Sequence, residues 1–434
     1  LLLPTSPAFI TALAASDGRG AVLINPLAAP AEIEFQCRDA NVGAIFTTSS
    51  FVPRLPAGLP VVLLDEAPRS ASVFIGGAVH GIDLGSHHGL SLTGERDVEG
   101  RDEEAVIIYT SAMRGTPLGA VLTHANLLAN AHSMVDALAK SVGDHVLAVL
   151  PYAHLFGFTV TGIAPLLIGS RVTTMGRFHA SNVLELLSGG VTEFVAVPSL
   201  YHALLRAMEK SGVSLRDSAL RLCGSGGAVL PVELQQRWAD VTGLELRQGY
   251  GLTEAGPVCL FNRVDRLNVH GTLGVPIPGV DVAIFPPADY TQDDVTLDAA
   301  VTPLANGEQG EICVRGANIS PGYVGGAHGL PRRGEWLCTG DLGVRDPDGS
   351  VRFLGLLKPM FTRNAFNVYP REIERTVCAM PGVTHAEVHP IPDAFKENGI
   401  LLRVAGNVTE TDVKRWCEQR LSAYKQPTVL EVLR

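Results

Sequence analysis

The sequence predicts an α/β protein: a large N-terminal domain of mostly parallel sheets flanked by helices, with a β-rich subdomain, followed by a small α+β C-terminal domain. Three observations predict it. Short apolar, β-branched runs alternate with amphipathic stretches as far as Gly271, the strand–helix alternation that builds a parallel sheet covered on both faces. Strand-like pieces punctuated by glycine and proline then follow, as a β-rich unit requires. From Gly355 a compact mixture of helical and strand patterns closes the chain.

The elements follow in order. AEIEFQCRDA at 31–40 reads as a helix and VIIYT at 106–110 as a strand. HANLLANAHSMVDALAK at 124–140 is helical, and HVLAVLP at 145–151, RVTTM at 171–175, EFVAVP at 193–198 and LRLCGSG at 220–226 are strands. SLYHALLRAMEKSG at 199–212 lies between the last two as an amphipathic helix. DVAIFP, GEICVRG and SVRFLG supply the β-rich part. These divisions predict a large domain over 1–354, a hinge over 355–360 and a small domain over 361–434.

Bulk properties agree. A chain of 434 residues suggests about two to three domains, and 18% charged against 46% hydrophobic residues supports a large packed core. The net charge of -10 speaks against nucleic acid or an anionic membrane surface as partner. Seven scattered cysteines without a C-x-x-C pair read as buried thiols of a reducing compartment, so a cytoplasmic location is expected. Residues 146–169 carry no Asp, Glu, Lys or Arg, but Pro151, Pro165 and His154 argue against a transmembrane helix. No signal-peptide pattern is visible.

Open parallel sheets bind ligands at the carboxyl ends of their strands, which singles out three turns. The first, Tyr109 to Asn126, reads as a strand, a small and polar loop with Thr110 and Ser111, and a helix opening near Thr123; alone it is an ordinary βα loop. The second is LPYAHLFGF at 150–158, with His154, Phe156 and Gly157; a lone histidine is most often a satisfied core residue. The third is LCGSGGAVLPVEL at 222–234, where glycines permit close approach of a flat ligand or simply make a tight turn.

GYGLTEAG at 249–256 is more specific. Gly249, Tyr250, Gly251, Thr253 and Glu254 put an aromatic, two glycines, a hydroxyl and a carboxylate within six residues, a set suited to a nucleobase, phosphate oxygens and Mg2+. TGD at 339–341 adds Asp341, a carboxylate able to accept both hydroxyls of a ribose.

In this order and spacing, with NAFNVYPREIE at 364–374 and the late LSAYKQP, the motifs resemble the adenylate-forming superfamily, particularly its acyl-CoA and aryl-CoA synthetases. The resemblance implies attack of a carboxylate on the α-phosphorus of ATP, release of pyrophosphate, rotation of the small domain, and displacement of AMP by a thiol. It implies ATP/AMP, Mg2+ and either CoA or a carrier-protein phosphopantetheine as cofactors. Gly226, Gly227 and Ala228 would line the adenine and Tyr250 stack on it, with Thr110, Ser111 and Gly251 also at the nucleotide. Thr253 would touch the α-phosphate, Glu254 hold the metal and Asp341 bind the ribose; Thr253, Glu254 and His154 are the implied catalytic set. His154, Phe156, Gly157 and Gly249 would border the acyl pocket. The implied partner is a small carboxylic acid or acyl thioester; candidate protein partners are a second copy of the chain or a carrier protein.

The sequence also departs from the family. Thr110 to Gly119 reads TSAMRGTPLG against T-S-G-T-T-G-x-P-K-G, so the lysine has become Leu118. The G-R-x-K-D hinge is Gly355, Leu356, Leu357, Lys358, Pro359, and Ala365 replaces a glycine lining the thiol tunnel. Both ends are expected to be short relative to the family, and no residue matches its terminal lysine. Two readings follow: an acyl-activating ligase with impaired adenylation, or a non-catalytic or repurposed relative that binds a nucleotide, acyl-adenylate or acyl-CoA, or serves as a partner subunit.

Overall fold

The computed structural model describes residues 1–16, 20–64, 70–75, 78–83, 103–110, 115–290, 297, 301–326, 329–393 and 397–433. At its centre, strands Leu246–Gly251, Leu222–Ser225, Glu193–Ala196, His145–Ala148 and Arg171–Thr174 lie side by side and parallel. Leu222–Ser225, Glu193–Ala196 and most of His145–Ala148 are buried on both faces, which is why these runs read as unbroken apolar stretches. Strands Val258–Phe261 and Val275–Pro276 extend the edge beside Leu246–Gly251, beginning with an antiparallel pair.

Helix Pro198–Ser211 shows why the alternation folds this way. Tyr201, Leu204, Leu205 and Met208 recur on one face and are buried, Pro198 opens the helix, and Gly212 at φ 73° closes it. Helix His124–Ala137 starts where the sequence places it, with the Thr123 hydroxyl accepting the Asn126 N–H and the Asn126 side chain accepting the Thr123 N–H.

The chain between Tyr109 and Asn126 is organised differently from the βα loop expected. Leu118–Thr123 returns antiparallel to Glu104–Thr110, with Thr110 opposite Leu118, before the helix begins. The run GAVL is therefore a strand that pairs before Thr123 can cap. Likewise, GYGLTEAG does not end in a helix: a single turn, Thr253–Ala255, leads into the antiparallel strand Val258–Phe261.

Beyond this sheet, Val280–Phe285, Gln309–Gly316 and Trp336–Arg345 form an antiparallel sheet extended by Arg332–Arg333 and Val351–Leu356, the β-rich subdomain. After it come the hairpin Phe361–Arg363 and Phe366–Val368 and a three-stranded sheet of Val383–Asp393, Glu397–Gly406 and Val429–Leu433. Helices Pro370–Cys378 and Glu410–Arg420 pack on it, around a core that includes Ile373, Val377, Ile400, Leu402 and Val413. Six of the seven cysteines are buried, as expected; Cys378, the last residue of its helix, is exposed, off the face that buries Ile373 and Val377. Residues 155–167 form short helical turns inside the large domain, and among the described residues no helix is long and apolar enough to cross a membrane.

Candidate active site

The carboxyl ends of Glu193–Ala196, Leu222–Ser225 and Leu246–Gly251 open into a cavity of about 270 Å³, whose wall also includes residues of the 361–368 hairpin. Twelve of the sequence-predicted residues share its wall: Thr110, His154, Phe156, Gly226, Gly227, Ala228, Gly249, Tyr250, Gly251, Thr253, Glu254 and Asp341. Gly157 stands behind the wall; a Cβ there would lie 2.6 Å from the Pro151 carbonyl oxygen, so this glycine permits close packing. Ser111 lies outside the described residues.

Within this wall, the Tyr250 hydroxyl donates to Asp341 Oδ2 at 2.6 Å, joining the two motifs across 91 residues. The TGD turn is held by Thr339, whose hydroxyl donates to the Ile312 carbonyl at 2.8 Å and accepts the Asp341 N–H at 3.2 Å. Burial raises the Asp341 carboxyl, against the opposing pull of Lys358 and the Tyr250 hydroxyl. Glu254 accepts the Tyr323 hydroxyl on Oε1 at 2.9 Å, and its carbonyl accepts the Ser320 N–H at 2.8 Å.

Lys358 has a place the sequence did not announce. Its methylenes lie over Gly340, where a Cβ would collide with them, so the TGD glycine at φ 73° makes room for the lysine. Burial works against its charge, but Tyr369, Asp341, Glu254 and Glu311 outweigh it and hold the ammonium above the ordinary lysine range. The only sequence signal was its position in the hinge motif. Leu356 lies opposite Asp341 in the strand pair and also lines the cavity, an apolar side chain where the family pattern has arginine.

Much of the wall is apolar. Met134, Leu138, Val160, Val195, Val258, Phe261, Leu273 and Phe353 contribute to it. His154 shares the same wall. Burial lowers it to about 4, and its Nδ1 accepts the Phe156 N–H at 3.2 Å, so the ring is neutral with its proton on Nε2.

The small domain completes the enclosure. Phe366 meets the His154 ring edge-on at 6.1 Å and stacks on Tyr424 at 4.3 Å. Asn364 and Ala365 adopt φ values of 51° and 62°. The Ala365 Cβ lies 3.3 Å from the position a Cβ would take at Gly227, itself at φ 78°. Elsewhere on the interface, Arg375 donates to the Thr116 hydroxyl at 2.8 Å, at the end of the phosphate-loop motif.

The family model of AMP-binding enzymes matches residues 1–324. The chain belongs to the AMP-binding enzyme family. Within it the chain is an adenylate-forming, acyl-CoA synthetase-like protein. It is 27% identical over 467 residues to a long-chain-fatty-acid–CoA ligase of Bacillus subtilis, covering 99% of this chain and 81% of that protein. It is 28% identical to 4-coumarate–CoA ligase CCL1 of Humulus lupulus, covering 98% of this chain and 79% of that protein. Among solved structures, a malonyl-CoA ligase complex with methylmalonyl-CoA and AMP bound superposes with a TM-score of 0.81 at 25% identity, over 99% of this chain and 89% of that one. These matches agree with the two-domain AMP-binding architecture seen here.

Proposed function

We propose that this AMP-binding protein holds an apolar carboxylic acid and ATP in one cavity, forms the acyl-adenylate slowly, and passes the acyl group to a thiol, CoA or a phosphopantetheine. The observation that supports this reading is one cavity whose wall combines the Tyr250–Asp341 pair and Glu254 with a set of apolar side chains and neutral His154. Gly226 to Ala228 and Tyr250 offer flat surface to adenine, and Asp341 accepts ribose hydroxyls. Met134, Leu138, Phe261 and Phe353 offer the acyl tail no hydrogen-bond donor, so an apolar acid is favoured over one with a second carboxylate.

The residues present fit Mg2+. The Tyr323 hydroxyl occupies Oε1 of Glu254 and leaves lone pairs on Oε2, and one carboxylate combined with substrate phosphates and water is a common Mg2+ environment. When bound, the ion would supply countercharge to the phosphate oxygens. Thr253 adds a hydroxyl beside it. Lys358 places a fixed ammonium near the same carboxylates, and Phe366 covers the His154 ring edge-on.

Leu118, Leu356 and Ala365 favour the second reading, a protein that binds an adenylate or acyl thioester without making it. Acid-dependent exchange of pyrophosphate into ATP, with fatty and aromatic acids, separates the two. Exchange with an apolar acid is expected at a low rate; its absence together with tight AMP or acyl-CoA binding in calorimetry would leave only the second.

A further inference from the structure

We propose that Glu32 is a positioning residue: through Lys425 and Ser422 it latches the small domain in the arrangement that inserts the 361–368 hairpin into the cavity. Glu32 lies in helix Pro30–Asp39 of the large domain, outside the sequence motifs assigned to the nucleotide. Lys425 Nζ donates to Glu32 Oε1 at 2.9 Å and to Glu372 Oε1 at 2.5 Å, and the Ser422 hydroxyl donates to Glu32 Oε2. The three charged side chains are 4%, 10% and 5% exposed, so water screens the contact little.

The cluster is built to open without stranding a charge. Glu32 Oε2 also accepts the Ala29 N–H at 2.8 Å, capping its own helix, and Lys425 keeps Glu372 within the small domain. Separation therefore breaks the Lys425–Glu32 and Ser422–Glu32 contacts while each side retains a partner. Tyr424, between Ser422 and Lys425, stacks on Phe366, which connects the latch to the hairpin tip beside His154. The same cavity wall includes Glu32, Ser422, Tyr424, Lys425 and Phe366.

The test uses spin labels on exposed Cys378 and on a cysteine at exposed Glu185, with Glu32→Gln as the variant; Gln keeps an acceptor for the Ala29 N–H. Wild type should show one dominant distance, and Glu32→Gln should lower that population relative to others by about tenfold or more, the change expected when a hydrogen bond between charged groups is lost while Lys425 keeps Glu372. Ser422→Ala should act in the same direction more weakly. An unchanged distance distribution in Glu32→Gln, with an unchanged melting temperature, overturns the latch. The kinetic consequence rests on the function proposed above: acyl transfer to the thiol should fall while pyrophosphate exchange holds or rises, whereas general damage to the fold would lower both. A wild type without exchange would sink the adenylation reading, and the label distances would still decide the latch.

Discussion

Asp341 and Tyr250 constrain each other, and the pair gives the sharpest test of the nucleotide end. Asp341→Ala removes the acceptor for ribose and for the Tyr250 hydroxyl, leaving that hydroxyl without the partner it holds at 2.6 Å. Hydrogen bonds to charged groups contribute about 1.5–3 kcal/mol, so AMP affinity should fall about tenfold to a hundredfold in calorimetry while free adenine is affected less. Ala365 makes an opposite case. An alanine at φ 62° carries roughly 1–2 kcal/mol of backbone strain that glycine does not, and its Cβ lies 3.3 Å from where a Cβ on Gly227 would stand. Ala365→Gly should therefore speed thiol-dependent acyl transfer without changing AMP affinity; stopped-flow transfer from preformed acyl-adenylate measures it, and an unchanged rate would show that the Cβ does not obstruct the thiol. His154 predicts a pH dependence. Its folded-state value of about 4 lies below the 6.5 of the unfolded chain, so the unfolded state binds more protons between the two and stability falls as pH drops through that window. His154→Phe should lose less melting temperature between pH 6.5 and 4 than wild type.

At the scale of elements, the clearest departure from the family pattern lies where Leu118 pairs with Thr110 at the base of the phosphate-loop hairpin. Leu118→Lys restores an ammonium there, and because loss of one transition-state contact typically costs about 10²- to 10³-fold, pyrophosphate exchange should rise at least tenfold. No rise would move the cause of slow adenylation to Leu356 or the hinge. The same hairpin marks a limit of sequence reading. The strands of the central sheet were legible because each is an apolar run between amphipathic helices, as Glu193–Ala196 is before Pro198–Ser211. The return strand Leu118–Thr123 was not, since its GAVL run fits a helix entry as well as an antiparallel strand. The polar residues of the cavity wall were legible because they cluster in GYGLTEAG and TGD, types suited to polar chemistry. The apolar lining was not: Met134, Leu138, Phe261, Leu273 and Phe353 are ordinary core residues in sequence, and only tertiary packing brings them to a cavity wall.

At the scale of the molecule, the cavity and a cluster of buried charges lie at opposite ends of the central strands. Opposite the cavity, where Glu193–Ala196 and Leu222–Ser225 begin, Lys140 pairs with Glu193, and Arg221 bridges Glu193 and Asp144 at 2.6 Å each. Lys140 and Glu193 are fully buried, and burial pushes the lysine down and the glutamate up, each opposed by its partner. Removing one member of such a pair strands the other and costs about 3–5 kcal/mol. The small domain has its own core around Ile373, Val377, Leu402 and Val413, and we propose residues 355–360 as the joint between the two units. Glu193→Ala should then lower the unfolding midpoint of the large domain alone. Trp238 reports that domain from its buried position, and Trp416, whose indole donates to the Thr376 carbonyl at 2.8 Å, reports the small one. Denaturant titrations of variants retaining one or the other tryptophan should show the Trp238 transition moved and the Trp416 transition in place. Equal movement of both would mean that the domains unfold as one cooperative unit, with the latch and hairpin contacts strong enough to couple their cores.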